Sequence, residues 1–291
     1  MKELIKFKAF KILKILLNKI NHKIARSHYL NNPQLVILAF DDIGLKINLE
    51  GRYENDLLLV LKEFIKEKIP NSGNLSLIDI GANIGNHSIF FSEFFKKVYA
   101  FEPNPLTYEI LNINSNFNVR KKNIITYKLG LSDQQGKTFF RINRLNMGGS
   151  CIIYPKENRL NSTDVIEIQI SCADKIEELR NENIGCIKID IEGHELRILI
   201  GAENIIKRNK PIIIFEQSKT EFNNGSSKAI NYLKKMGYSF YIFNNHFYFG
   251  EKTIARYFSF MINLFVVRNL HLKKATKFHR RNYEMIVAIY D

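Results

Sequence analysis

LSLIDIGANIG, residues 75–85, followed by VYAFEPN, residues 98–104, decides how this chain folds. The first piece is an apolar run that carries Asp79 and ends in a glycine turn. The second is an apolar run that ends in Glu102, 23 residues after Asp79. Together they read as strand, turn, helix and second strand. A carboxylate closing the second strand of such a unit can grip the two hydroxyls of a ribose. Gly81 and Gly85 enclose Ala82-Asn83-Ile84, and no third glycine follows at the usual place, so this is not the full dinucleotide fingerprint. Asp79 ahead of the turn suits a cofactor bearing an amino group better than a pyrophosphate.

Outward from this unit the pattern alternates. Strand 75–80 leads to a helix over 84–95, strand 98–102 to a helix over 105–116, and strand 123–128 follows. Strand-like pieces at 137–142 and 165–170 interrupt. Helix 174–181, strand 185–191, helix 194–207, strand 211–216, helix 226–236 and strand 238–243 restore the rhythm. Strands alternating with helices of this length predict an α/β fold, a mainly parallel sheet with helices on both faces. Ligands of such sheets sit beyond the C-terminal strand ends. Upstream, residues 2–28 predict a basic amphipathic helix. Residues 34–40 and 45–49 read as two strands around Asp41-Asp42-Ile43-Gly44, and 54–69 as an amphipathic helix ended by Pro70. Downstream, 246–249 reads as half of a hairpin, 253–281 as a basic, partly helical insertion, and 283–290 as a final strand returning antiparallel. The expected units are 1–30, 31–74, 75–250, 251–281 and 282–291.

The chain has 291 residues and a net charge of +14, unevenly spread. Residues 1–30 hold eight Lys/Arg against Glu3, and residues 252–281 hold eight with no acid, so the middle is nearly neutral. Basic arms of this kind attract anionic surfaces, and peripheral contact with an anionic membrane is one expectation. No segment is long and apolar enough to span a bilayer, and the N-terminus has no clean apolar leader. Cys151, Cys172 and Cys186 form no C-x-x-C pair and no zinc spacing, which favours a reducing compartment. The expectation is a cytoplasmic protein, peripheral at the inner face of the membrane if the arms bind lipid.

Four constellations carry chemistry besides the glycine turn. Asn104 accompanies Glu102, and Ser132-Asp133 after the third strand is placed to border an adenine or to make a plain turn. Residues 146–150, NMGGS, lie where an acceptor-binding lid would be. In KIDIEGHE, residues 188–195, the groups Lys188, Asp190 and Glu192 alternate with apolar residues and so share one face at a strand end, and Gly193 permits a sharp exit toward His194. Such groups can orient a hydroxyl, take its proton or hold a metal through oxygen ligands. Glu216 ends the apolar strand 211–215 as a site-facing carboxylate. His87, on the helix after the glycine turn, reads as a packed or capping histidine rather than a base. S-adenosylmethionine matches the first constellation, having an amino-acid end, a ribose diol and an adenine.

Taken together these residues resemble the FkbM family of S-adenosylmethionine-dependent methyltransferases. The matching pieces are DIGANIGN at 79–86, FEPNP at 101–105, LSD at 131–133, Asn146 with Gly149-Ser150, KIDIEGHE at 188–195, Gly201-Ala202 and Glu216. The resemblance implies a class I, Rossmann-like methyltransferase fold with a seven-stranded sheet and an antiparallel last strand. It also implies O-methylation of sugars, glycans or secondary metabolites. By position, Asp79, Gly81, Asn83, Gly85, Glu102, Asn104, Ser132 and Asp133 would serve the cofactor. Asp190, Glu192, His194 and Glu216 would border methyl transfer, with the base and any metal undecided. Three other readings compete. They are a non-enzymatic cofactor-binding or membrane-docking protein on the same fold, an NAD-dependent oxidoreductase, and a nucleic-acid methyltransferase. The incomplete glycine fingerprint weighs against the second. The lack of an Asn/Asp-Pro-Pro-Tyr type motif weighs against the third.

Overall fold

The structure is a computed structural model that describes residues 2–118, 122–144, 146–153, 164–223, 225–244 and 270–291. The chain opens with α1 (Lys2–His28), α2 (Asp42–Glu50) and α3 (Asn55–Lys68). It continues through β1 (Ser76–Ile80), α4 (Asn86–Ser92), β2 (Lys97–Phe101), α5 (Pro105–Asn118) and β3 (Ile124–Tyr127). Four short strands follow: β4 (Gly130–Leu131), β5 (Gly136–Arg141), β6 (Cys151–Ile153) and β7 (Val165–Ser171). Then come β8 (Ile184–Ile189), α6 (Glu195–Gly201), α7 (Glu203–Asn209), β9 (Ile212–Gln217), α8 (Lys228–Lys235), β10 (Tyr238–Phe243), β11 (Leu272–Lys274) and β12 (Tyr283–Tyr290).

The main sheet runs β11-β10-β12-β9-β8-β1-β2-β3. From β9 to β3 all neighbours are parallel. β12 lies antiparallel between β9 and β10, and β11 pairs antiparallel with β10. The expected seven strands, mostly parallel, are thus corrected to eight strands of mixed direction. The extra strand, β11, is three residues long and contains Lys273 and Lys274, so it carries no apolar period that would announce it. The pieces at 137–142 and 165–170 do not join this sheet. They form a second one with order β4-β7-β5-β6.

β1 and β8 lie at the centre, and every residue of both is buried. Side chains alternate across the pleat, so the two sheet faces build two cores. Leu77 faces Leu58, Leu61 and Ile65 of α3 and Phe90 and Phe91 of α4. Ile78 and Ile80 face the other layer, with Leu199 of α6, Ile206 of α7 and Ile230 and Leu233 of α8. Leu61 and Ile65 are fully buried, and each such side chain stabilises the fold by about 1.5–3 kcal/mol.

Other expectations also change. Leu45, Ile47 and Leu49 alternate like a strand, yet 42–50 is helical. The ends decide: an Asp41 carboxylate oxygen accepts the Ile43 N–H (3.2 Å), and the Gly51 N–H closes on the Ile47 carbonyl (2.8 Å). Only Ile47 and Gly44 of this helix are buried. Residues 33–38 form no strand and join neither sheet, and the Asn114 side chain takes the place of a neighbouring strand. It accepts the Val36 N–H (2.7 Å) and donates to the Val36 carbonyl (3.0 Å). The expected helix over 174–181 is two 3-10 turns, Ala173–Lys175 and Glu177–Leu179. The expected helix over 194–207 breaks at Ala202, where α6 meets the loop after β4. A Cβ on Gly201 would lie 1.9 Å from the Ser132 carbonyl oxygen. The expected hairpin at 246–249 and most of the basic insertion lie outside the described residues.

Candidate active site

Parallel pairing brings the C-terminal ends of β2, β1, β8 and β9 to one edge, where the glycine turn sits. The N–H groups of Gly81 and Ala82 both donate to the Phe101 carbonyl (3.0 Å). Gly81 has φ +76°, and a Cβ there would stand 2.1 Å from the Asp190 carbonyl oxygen. Only glycine fits this approach of the β1 turn to the β8 exit. Glu102, buried at the end of β2, accepts the Asn83 N–H and the Asn104 N–H, each at 2.9 Å. Burial pushes its carboxyl above the ordinary range, and the two N–H groups oppose this without cancelling it. Each oxygen keeps a further lone pair for a hydroxyl donor. Asn104 accepts the Leu106 N–H at the start of α5 (3.1 Å), and Gly85 stands at the start of α4.

Beneath the turn lies a buried chain of charges. Asp79 is paired in register with Lys188 on the neighbouring strand. One Asp79 oxygen accepts the Lys188 ammonium (3.0 Å), and the other accepts the Ser88 hydroxyl (2.6 Å). Lys188 also reaches Asp190, 3.1 Å away. Burial pulls the Lys188 ammonium downward, but Asp190 and Asp79 more than restore it and the net shift is upward. Burial lifts the Asp190 carboxyl, and Lys188 outweighs that, so Asp190 ends below its ordinary value. Glu216 of β9 follows Phe215, the register partner of Ile189 on β8, and so stands beside Asp190, each carboxyl acting on the other's titration. Burial, then the charges of Asp190 and Glu192, push Glu216 up to about 8. Two neighbouring carboxyls cannot both ionise cheaply, and these opposite shifts leave the proton on Glu216 at neutral pH.

The cleft above this floor is lined by Gly81, Asn83, Glu102, Asp190, Glu192 and Glu216 among the expected site residues. The loop 146–150 closes over it and lines the same cleft. The Met147 N–H donates to Asp41 (2.8 Å), which ties that loop to the start of α2. Loop 146–150 and Lys188 were expected near the site, but Asp42, Ile43 and Lys46 of α2 and Tyr53 were not. The N-cap signal of Asp41 was available in the sequence, although its tie to Met147 was not. His87 is buried on α4 and lines the cleft, with its Nε2 3.3 Å from a Glu54 oxygen and its ring stacked near Tyr53.

The remaining expected groups lie elsewhere. Ser132, Asp133 and His194 form their own cluster behind the cleft. The Ser132 hydroxyl is 3.0 Å from His194 Nε2 and donates to Asp133 (3.0 Å), and Asp133 pairs with Arg197 (3.1 Å). Burial and the Arg197 charge hold His194 down to about 4 against the pull of Asp133, so it is neutral at physiological pH. Close by, Glu195 and Glu221 share a proton much as Asp190 and Glu216 do: burial and Glu221 push Glu195 up to about 9, and burial raises Glu221.

A second chamber adjoins the cleft and shares Lys46, Tyr53, Asp190 and Glu216 with it. Its other walls include Glu50, Glu54 and Glu284. Among the described residues no group of three or more His, Cys, Asp or Glu side chains is placed to hold a metal ion.

A doubly wound sheet with an acid at the end of β2, a glycine turn against the exit of β8 and a second chamber beside it defines an α/β enzyme fold for a nucleoside-type cofactor. Residues 79–240, more than half of the chain, match the methyltransferase FkbM domain, and the chain belongs to that family. It is 28% identical over 166 residues to the hexuronic acid methyltransferase AglP of Haloferax volcanii, an alignment that covers 56% of this chain and 62% of that protein. It is 26% identical over 180 residues to the methyltransferase sdnD of Sordaria araneosa, covering 50% of this chain and 68% of that one. The methyltransferase FkbM of Methylobacillus flagellatus is a solved structure with 20% identity and a TM-score of 0.36, covering 50% of this chain and 33% of that one.

The methyl donor of the family is S-adenosylmethionine. The cleft fits it on two counts. The turn at Gly81 leaves backbone bare where a side chain would stand, and the buried side-chain oxygens of Asn83 and Asn146 on the cleft wall have no hydrogen-bond partner among the described residues. Amino and hydroxyl donors are what such oxygens require.

Proposed function

We propose that the protein methylates a hydroxyl of a sugar, glycan or related metabolite, with S-adenosylmethionine as donor. The observation that carries this reading is the Asp190–Glu216 pair, which borders both the cofactor cleft and the second chamber. A protein that only bound a nucleoside would have no use for a proton-sharing carboxyl pair at that junction.

In this reading Glu102 takes the ribose hydroxyls. The backbone at Gly81 and the oxygens of Asn83 and Asn146 take the amino-acid end. Asp79 acts from below by fixing Lys188, while Asn104 and Gly85 hold Glu102 and α4 in place. Ser132, Asp133 and His194 keep α6 against the loop after β4. The bound donor supplies an activated methyl group to an attacking alcohol. The protein therefore has to align the alcohol, keep water out and accept one proton, and alignment alone can supply roughly 7–11 kcal/mol of the barrier. The roof of α2 and loop 146–150 does the excluding. Glu216 in its ionised form is the proton acceptor, because the base of higher pKa takes a proton more readily and Asp190 is clamped by Lys188. Asp190, with Glu192 beside it, orients the hydroxyl.

The acceptor is best read as neutral. Glu50 and Glu54 face the chamber, with Lys46 as the one cation on its wall among the described residues, so a carboxylate-bearing sugar would meet like charge. This separates the present chain from the hexuronic acid named for AglP, which shares only part of its length.

The test is methyl transfer from labelled S-adenosylmethionine to a panel of neutral, amino and uronic sugars, with products read by mass spectrometry. Methylation of a neutral acceptor, strongly slowed in Glu216→Gln while S-adenosylhomocysteine still binds, is the expected result. Absence of S-adenosylhomocysteine binding by calorimetry would end the reading. A preference for uronates would end its acceptor assignment alone.

A further inference from the structure

We propose that α1 docks the protein on an anionic lipid bilayer, lying in the plane of the headgroups. This goes beyond the methyl-transfer reading and does not depend on it.

The helix stands away from the rest of the fold. Every side chain from Phe10 to Lys23 is exposed. Burial begins only near the C-terminal end, at Ile24, Ala25 and His28. There the His28 ring bonds the Leu49 carbonyl of α2 (2.9 Å). Isolated helices are marginal in water, and helices in proteins draw most of their stability from an apolar face packed against something. The apolar face here is uncovered among the described residues. Ile12, Leu16, Ile20 and Ile24 follow one another at four-residue spacing, with Leu13 and Leu17 alongside. Ile12, Leu13, Leu16, Leu17 and Ile20 are each 50–63% exposed. A contiguous apolar stripe of this kind marks an interaction surface.

Charge identifies the occupant. Lys11, Lys14 and Arg26 lie on the opposite flank, interrupted by Ile15, with Lys19 at the border and Lys23 beyond Leu16 and Ile20 within the stripe itself, and no acidic residue occurs between Glu3 and Asp41. Two copies of the helix packed on this stripe would bring lysines together with no acid to offset them, which is the reverse of a coiled-coil flank. An anionic bilayer satisfies both sides at once, since headgroups meet the lysines and the stripe enters the acyl boundary. Crossing the bilayer is excluded by the recurring lysines, and no described helix is long and apolar enough to do so. Exposed Tyr29, Leu30 and Phe40 extend the apolar surface toward α2, whose first turn roofs the cleft. A surface held by α1 is therefore also held near the site.

The experiment is co-sedimentation of the full chain with phosphatidylcholine vesicles and with mixed phosphatidylcholine–phosphatidylglycerol vesicles, at low and high salt. Binding to the mixed vesicles that weakens with salt is expected, with little on phosphatidylcholine alone. Each of Lys11→Gln and Lys14→Gln should lower partitioning by about fivefold. Leu16→Glu with Ile20→Glu should abolish it while leaving the melting temperature and S-adenosylhomocysteine binding unchanged, because these side chains touch nothing in the core. Three outcomes overturn the proposal. One is no vesicle binding. Another is a dimer, dissolved by Leu16→Glu with Ile20→Glu, that ignores vesicles. The third is retention on RNA that needs the lysines but not the apolar stripe.

Discussion

Two acidic regions meet at the cleft, and they are neutralised by different means. On the floor, Asp79 and Asp190 are held by a cation, Lys188, across β1 and β8. On the wall, Glu216 meets Asp190, and behind the cleft Glu195 meets Glu221, pairs in which no cation but a proton relieves the repulsion. Lys188 is raised and Asp190 lowered by their contact, so that pair keeps its charges and serves as a fixed template. The wall changes charge near neutrality and can therefore do proton chemistry. Burial is severe in both places, and the identity of the neutralising partner sets the role.

The strongest attack on this contrast is Lys188→Met. It leaves two carboxylates with no counter-ion, one of them at 0% exposure, and should destabilise the fold by about 3–5 kcal/mol in urea titrations. A loss below about 1 kcal/mol would mean that the floor is not an ion-paired template. On the wall, Glu216→Gln should lower turnover by about 10²–10⁴ and leave cofactor affinity near its original value. Because Glu216 is raised to about 8 and works ionised, the wild-type rate should climb with pH through that value, and the variant profile should be flat there.

A smaller effect concerns stability. Glu195 is raised from an ordinary 4.5 to about 9 in the folded protein, so between those values the native state keeps a proton that the unfolded chain has released. Stability should therefore fall as pH rises across that window, by at most roughly 1.4 kcal/mol per unit for one proton, and Glu195→Gln should flatten the curve. The smallest effect sharpens the comparison from outside. Arg197 and Asp133 form the same kind of pair as the floor, but they are 44% and 24% exposed, so Arg197→Ala should cost less than about 1 kcal/mol. Removing that charge should also move the His194 titration upward from about 4, as followed by NMR.

The sequence disclosed the cofactor half of this arrangement well, because its signals are local. Glycines, a strand and an acid at a fixed interval occupy one short stretch. The partnership of Asp190 with Glu216 was hidden. Both were chosen as strand-end acids, but only the pairing of β8 with β9 puts them against each other. The role of Lys188 was hidden likewise, since its partner Asp79 is 109 positions away and is found only through register. Residues 42–50 misled because a helix with a single buried apolar residue leaves a weak period, and the alternation of Leu45, Ile47 and Leu49 imitates a strand. The second sheet escaped because two of its strands are three residues or shorter.

Asp41 uses one oxygen to start α2 and the other to catch Met147, 106 positions later. One small carboxylate thus makes the birth of a helix and the shutting of a distant flap a single event. The mouth of the cleft is therefore finished only when residues 41–50 have taken shape.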